Sequence, residues 1–390
     1  MINMMKLKAV FITLTTLFIS LVVFYYNQSW LTINSTPTFP NPPRPYKKQN
    51  ANKFRFLFYS CALYVNVTGT EFVLQSLAPL YSFCNDETKS VVYRKQITKY
   101  LLGWDVIIFY VHDMPGPKIL RGARKEVPKT QLWAYYNRES PFNTINVLKK
   151  KFDGIFNLTM TPLRKSDIML SYGYYRKKTR SDPNPNAELS LTGKNRSAVW
   201  IASHCNIARD SVVSGLLQYM PVTIYGKCAR KFRQYEVCPR FSEKCEQKLR
   251  QFVFSLAFEN SLCNDYVTEK YWDALQRWTI PVVYGGSNYD KKLVVPRSYI
   301  NARNYNLRDL AAYLKKIFSD GSYLKYHQWR KDYVIDYKPK DRHRFEIVGQ
   351  KLVDLLNRGI YSKTYKLSRF YNRKLNCEYD HRLNDLTRRQ

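Results

Sequence analysis

Residues 252–286 carry the pattern that most restricts the fold. Phe252, Phe254, Leu256 and Phe258 alternate as one face of a strand, and a polar loop follows. Tyr271, Ala274, Leu275 and Trp278 then recur at helical spacing, and "IPVVYGG" (280–286) reads as a buried strand stopped by two glycines. The same order occurs upstream. "AVWIAS" (198–203) is strand-like, a helix from about Asp210 puts Val213, Leu216, Leu217 and Met220 on one face, and "VTIYG" (222–226) returns as a strand. Strand, loop, helix and strand, twice, predict βαβ units in a parallel sheet. The first half offers apolar runs at 54–59, 105–111 and 131–136, and the polar, Pro-containing stretch 177–195 separates the halves. The expected fold class is therefore α/β, with two domains facing one another across a cleft.

Charge and the N-terminus limit the partners. Lys and Arg number 63 against 30 Asp and Glu, a formal charge of +33. Such an excess calls for an anionic partner: nucleic acid, an acidic membrane face or a phosphate-bearing small molecule. Residues 9–26, uncharged and mostly apolar behind Lys6 and Lys8, read as an uncleaved transmembrane signal anchor with residues 1–8 cytoplasmic. A cleaved signal peptide or a buried soluble helix are the alternatives. Residues 27–53, rich in Pro, Asn and Lys, read as a stem. A lumenal location makes the eight cysteines available for disulfides and makes Asn34, Asn66, Asn157 and Asn195 candidate glycan acceptors. No Cys pair has the spacing and His partner of a zinc site.

In open α/β sheets, ligands bind beyond the carboxyl ends of the strands, where helix N-termini present free N–H groups to anions. Two loops occupy such places here, "SHCNIAR" (203–209) and "ENSLCNDYVT" (259–268). Arg209 and Lys270 suit a diphosphate, Glu269 suits ribose hydroxyls, and Tyr266 suits packing against a sugar or base. Taken singly, each has a plainer reading: Thr268 as an N-cap, Glu269 as a first-turn acid, Lys270 as a solvated surface residue. In the first half, Glu139 of "WAYYNRESPFN" follows a strand and is either a general base or a structural turn acid. The chain contains no D-x-D pair, which favours cations and helix dipoles over a metal ion for holding a diphosphate.

The run "FENSLCNDYVTEKYWDALQRWTIPVVYGG" (258–286) resembles the donor-site signature of the α1,3-fucosyltransferases, roughly F-E-N-S-x-x-x-D-Y-x-T-E-K, an Ala-containing helix and P-V-V. "NRESP" (137–141), "NLTMT" and "SDI" (157–168), "YGYY" (172–175), "VWIASHC" (199–205) and "IYGKC" (224–228) match the family in order, so the resemblance covers about residues 54–360. It implies a GT-B fold of two Rossmann-like domains in a Golgi type II enzyme. The activity implied is transfer of fucose from GDP-β-L-fucose to a glycan, usually to N-acetylglucosamine, with inversion. Carried over, Glu139 is the general base and Arg209 contacts the diphosphate. Tyr266, Glu269 and Lys270 bind the donor, as do Glu259, Asn260 and Ser203. No cofactor is required, and a divalent metal at most stimulates. Residues 54–180 become the acceptor-side domain, 181–360 the GDP-fucose-binding domain and 361–390 a basic tail.

The chain departs from the family pattern at His204, at Pro162, Leu163 and Lys165, at Ser171, and at Trp278 where Gly is frequent. These changes leave the donor motif intact and bear on the acceptor. Competing readings are a family member acting on another acceptor hydroxyl or on an N-glycan core, an inactive lumenal binding homologue, and a basic nucleic-acid-binding protein. The anchor, the cysteines and the absence of aromatic–basic RNA motifs argue against the last.

Overall fold

Short runs of β-branched and aromatic residues form the two larger sheets of the computed structural model. It describes residues 53–60, 66–76, 98, 101–112, 114–144, 150–183, 191–205, 208–235, 237–239, 242–337, 342–359 and 363–378. The expected anchor 9–26 and Asn34 lie outside these residues, as does most of the stem.

The first sheet contains β1 (Phe54–Tyr59), β2 (Asn66–Thr68), β3 (Phe72–Ser76) and β4 (Val106–Tyr110). Helix α1 (Pro117–Arg124) precedes β5 (Leu132–Tyr136), β6 (Leu158–Thr161) and β7 (Ile168–Met169). Spatial order is β2-β3-β1-β4-β5-β6-β7, and every pairing except β2 with β3 is parallel. All five residues of β5 are buried, as a strand covered on both faces requires.

Strand β8 (Tyr174–Lys177) leads on to the second sheet. That sheet is built from β9 (Arg196–Ile201), α2 (Ala208–Leu216), β10 (Val222–Tyr225), α3 (Glu243–Arg250), β11 (Phe252–Phe258), α4 (Glu269–Gln276), β12 (Ile280–Tyr284) and β13 (Ile300–Asn301). Its order is β10-β9-β11-β12-β13, all parallel. Every residue of β11 and β12 is buried. Helix α5 (Leu307–Ser319) closes one face. Strand β14 (Tyr333–Asp336) returns to pair antiparallel with β8.

The expected boundary at 360 does not coincide with the packing. Helix α6 (Arg342–Asn357) lies within the stretch assigned to the second domain, yet Phe345, Val348, Leu352, Val353 and Leu356 pack into the core of the first sheet. The segment 363–378 packs there too, burying Tyr365, Leu367 and Tyr371 beside Trp133 and Phe156. The stretch expected to be a basic tail is thus structural through residue 378.

The structure accounts for the departure at Trp278. Its backbone is left-handed, at φ 57°, a conformation glycine adopts without a steric penalty. The indole is nevertheless buried, stacked on His327 with centroids 5.9 Å apart and with the Arg330 guanidinium 4.0 Å from its ring. Burial pushes the His327 imidazole down to about 3, so this stack is held by a neutral ring. Replacing Trp278 with Gly removes a left-handed penalty of roughly 1–2 kcal/mol but loses packing worth about 3–5 kcal/mol. Net destabilisation by about 2 kcal/mol is expected in denaturant unfolding, and an unchanged or raised midpoint would show that backbone strain dominates.

Of the candidate glycan acceptors, Asn66 and Asn195 are exposed. Asn157 is not available in the folded chain. Its Oδ1 accepts from the Trp133 N–H at 3.1 Å and from Arg124 at 3.0 Å, and its Nδ2 donates to the Lys363 carbonyl at 3.1 Å. A glycan on that nitrogen would break the last of these bonds within a site only 5% exposed.

Candidate active site

The carboxyl ends of the two sheets meet, and each supplies one wall of the site. Strands β9 and β11 are neighbours, so the residues that follow them, 203–205 and 259–268, lie side by side. The second loop rests on Gly286. A Cβ there would come 2.3 Å from the Leu262 carbonyl carbon, so only glycine permits the approach.

Glu259 organises this wall from below. It is 3% exposed, and its carboxylate accepts the Thr268 N–H at 2.8 Å and the Thr268 hydroxyl at 3.0 and 2.8 Å. Thr268 stands at the N-cap of α4, but its hydroxyl makes no cap bond to the helix; Glu259 satisfies a free helix-end N–H instead. Lys270 donates to Glu259 at 3.2 Å, to the Thr268 hydroxyl at 2.7 Å and to Glu269 at 3.0 Å. Burial alone would lower the Lys270 pKa, but Glu259 and Glu269 outweigh it and hold the ammonium above its ordinary value. Burial raises the Glu259 carboxyl against the opposing pull of Lys270. Glu269, whose side chain is 42% exposed, is drawn below the usual carboxylate range by Lys270 despite its own desolvation.

Arg209, in the first turn of α2, reaches the same place from the neighbouring loop. Its Nη1 donates to the Phe258 carbonyl at 2.8 Å and its Nη2 to the His204 carbonyl at 3.1 Å. The side chain is 3% exposed, and its Nε is buried with no hydrogen-bond partner. Desolvation lowers its pKa from the usual guanidinium value. A buried cation whose hydrogen bonds go to main-chain carbonyls, with its Nε unspent, is suited to an anion. Ser203 is exposed on the same rim, and Asn260 accepts from the Ser261 hydroxyl at 3.2 Å.

Glu139 comes from the opposite wall, directly after β5. Asn137 is buried, and its Oδ1 accepts the Glu139 N–H at 2.9 Å, closing the turn. Tyr266 donates its hydroxyl across the cleft to Glu139 Oε2 at 3.3 Å, and burial holds that phenol well above its ordinary pKa. The turn and the loop 259–268 touch again where the Ser261 hydroxyl donates to Ser140 at 2.6 Å.

Several contributors are assigned no role in the site from the sequence. Tyr172 donates to the Arg138 carbonyl at 2.8 Å, the Arg138 guanidinium lies 4.0 Å from the Tyr172 ring, and that ring meets Tyr266 edge-on. The departure at Ser171 closes this turn, its hydroxyl donating to the Gly173 carbonyl at 2.5 Å. Arg164 joins the walls outright. Its guanidinium donates to Asp265 at 2.7 Å, Asp290 at 2.5 Å and Asn288 at 3.0 Å, and its main-chain N–H to Asp265 at 2.9 Å. Among the described residues, no group of three or more His, Cys, Asp or Glu is placed to hold a metal ion.

The model of the glycosyltransferase family 10 (fucosyltransferase) C-terminal part matches residues 191–366, and the fucosyltransferase N-terminal model matches residues 82–173. Alpha-(1,3)-fucosyltransferase C of Drosophila melanogaster is 33% identical over 256 residues, spanning 60% of this chain and 58% of that protein. The 3-galactosyl-N-acetylglucosaminide 4-alpha-L-fucosyltransferase FUT3 of Bos taurus is 36% identical over 214 residues, spanning 52% of this chain and 54% of its own length. The chain thus spans between half and two thirds of these curated relatives. A crystal structure of an α1,3-fucosyltransferase aligns with 79% of this chain and 91% of its own, at 16% identity and a TM-score of 0.45.

Proposed function

The chain belongs to glycosyltransferase family 10, the fucosyltransferases, and on that premise we propose that it transfers L-fucose from GDP-β-L-fucose to a glycan hydroxyl, with inversion. The leading acceptor is O3 of N-acetylglucosamine. The observation that carries the reading is the placement of Glu139 across the cleft from Arg209 and Lys270, joined to the donor-side loop through Tyr266.

Inversion in one displacement needs a base on the face opposite the leaving group. Glu139 takes the proton from the acceptor hydroxyl as that oxygen forms its bond to the anomeric carbon. The bond from that carbon to the β-phosphate oxygen breaks with its electron pair leaving on GDP. Arg209, Lys270 and the amino ends of α2 and α4 stabilise the charge that develops there. The sugar passes through an oxocarbenium-like state, as in glycoside hydrolysis. Glu269, partly exposed beside Lys270, accepts from ribose hydroxyls. Glu259, enclosed by Thr268 and Lys270, keeps the helix start and the ammonium in position without reaching the donor. No divalent ion enters this scheme, and the chemistry uses the chain's own cations.

The two facing sheets support a GT-B arrangement, and the apolar run 9–26 supports a type II protein of the Golgi membrane with its catalytic part in the lumen. No described helix is long and apolar enough to cross a membrane, and that run lies outside the described residues. The disulfides Cys205–Cys228, Cys238–Cys245 and Cys263–Cys377 suit an oxidising lumen. Incubating the chain with GDP-fucose and a panel of glycan acceptors, with and without a chelator, tests the proposal. Transfer to a GlcNAc-containing glycan in the presence of chelator is the expected result. No transfer to any member of the panel would sink the proposal, and strict dependence on added metal would sink its metal-free form.

A further inference from the structure

The stretch after α6 brings the two walls into one covalent unit. It contains two short helices, α7 (Leu367–Phe370) and α8 (Arg373–Asn376), and enters as part of the first unit. Tyr365 exchanges main-chain bonds with Phe156 and Gly154, and the Ser368 N–H donates to Asp153 at 2.8 Å. It leaves as part of the donor-side loop. Cys377 is bonded to Cys263, the Asn264 N–H donates to the Asn376 carbonyl at 2.8 Å, and the Glu378 N–H donates to the Leu262 carbonyl at 2.8 Å. Glu378 also takes a 2.8 Å ion pair from Arg303, which donates in turn to the Gly285 carbonyl at the end of β12.

Tyr371 lies midway between these anchorages and is fully buried, and its hydroxyl donates to the main-chain carbonyl of Glu139. Just beyond it, Arg373 lies 3.5 Å over the Phe142 ring and Lys165 donates to Asn376 at 2.8 Å. The base turn is thus held from outside the cleft by the same segment that is bonded to the donor-side loop.

We infer that residues 363–378 form a strap that sets the register between the base and the donor, with Tyr371 as a positioning residue for Glu139 and the Cys263–Cys377 bond as its fastening. The inference rests on the reading of Glu139 as the base. Its consequence is specific: loosening the strap misplaces the base without removing any group that touches GDP. A shift of about 1 Å at a reacting group is enough to lower the rate by roughly 10²-fold.

The test uses the full-length chain, with Tyr371→Phe and the double variant Cys263→Ser/Cys377→Ser compared with the unaltered protein. Tyr371→Phe keeps the ring in its core and removes one hydroxyl. Both variants are expected to lower kcat by about 10- to 100-fold while GDP affinity and the KM for GDP-fucose stay unchanged. Both are also expected to raise amide hydrogen exchange at residues 137–140. A wild-type kcat in Tyr371→Phe overturns the positioning role, and so does a fall in kcat matched by an equal loss of GDP affinity. Where the double variant fails to bind GDP, Tyr371→Phe decides. Absence of fucosyl transfer by the unaltered protein defeats the proposed function instead. The exchange measurement then decides the strap alone: a rise in both variants upholds it, and no rise overturns it.

Discussion

Replacing Glu139 with Gln is expected to slow fucosyl transfer by roughly 10²–10⁴-fold, the usual contribution of a positioned general base, while GDP binds as tightly as before. The substitution is close to isosteric, and the local structure does not depend on the side chain's charge. Asn137 holds the residue through the main-chain N–H, and Tyr371 holds it through the main-chain carbonyl. The amide oxygen of Gln still accepts from the Tyr266 hydroxyl, so the cleft stays joined at that point. What disappears is basicity. Calorimetric titration with GDP beside initial-rate assays separates the outcomes. Transfer lost together with GDP affinity would mean that Glu139 serves the donor site, and transfer retained would return it to the role of a turn acid.

The parts of this site that were legible in the sequence share one property, that their geometry is set by near neighbours. Strand β11, the loop after it and helix α4 follow from period-2 and period-3.6 spacing, and β1 and β11 fall on the residues expected of them. Arg209 and Lys270 follow because a βαβ unit delivers its first helical turn to the carboxyl edge of the sheet. The illegible parts are contacts between residues far apart in the chain. Tyr371 meets Glu139 across 232 positions, and Arg164 meets Asp290 across 126. Helix α6 has an apolar face that suits either sheet, and periodicity cannot say which core it enters. Tyr266 is a further contact of this kind: only the facing sheet decides that its hydroxyl goes to Glu139, 127 positions away.

The acidic residues of a strongly basic chain find their explanation in the same geometry. Glu259 is enclosed, and its two oxygens are taken up by Thr268 and Lys270, so it acts on the helix start rather than on solvent. Together with Glu269 it surrounds the Lys270 ammonium with two carboxylates, which partly cancels the field that this cation offers an incoming phosphate. Among the described residues Arg209 has no carboxylate at hydrogen-bond distance: its two Nη atoms donate to carbonyl oxygens of the main chain.

That difference fixes the order of two substitutions. Arg209→Ala is expected to weaken GDP binding by roughly 10- to 100-fold, the equivalent of a hydrogen bond to a charged group at about 1.5–3 kcal/mol. Transfer should fall by about 10²–10³-fold, because the cation matters most when charge builds on the departing phosphate. Stability should change by only about 1–2 kcal/mol: the variant forfeits two bonds to carbonyls but also the cost of desolvating a guanidinium, which already lowers the Arg209 pKa. Lys270→Met should behave in the opposite way. It leaves Glu259 buried without its cation, and breaking such a pair costs about 3–5 kcal/mol, so the midpoint of unfolding should drop steeply. GDP affinity, measured where the variant remains folded, should fall less than in Arg209→Ala. The reverse pattern, with Lys270→Met stable but unable to bind GDP and Arg209→Ala strongly destabilised yet binding GDP normally where it remains folded, would show that Lys270 carries the diphosphate and Arg209 holds the fold.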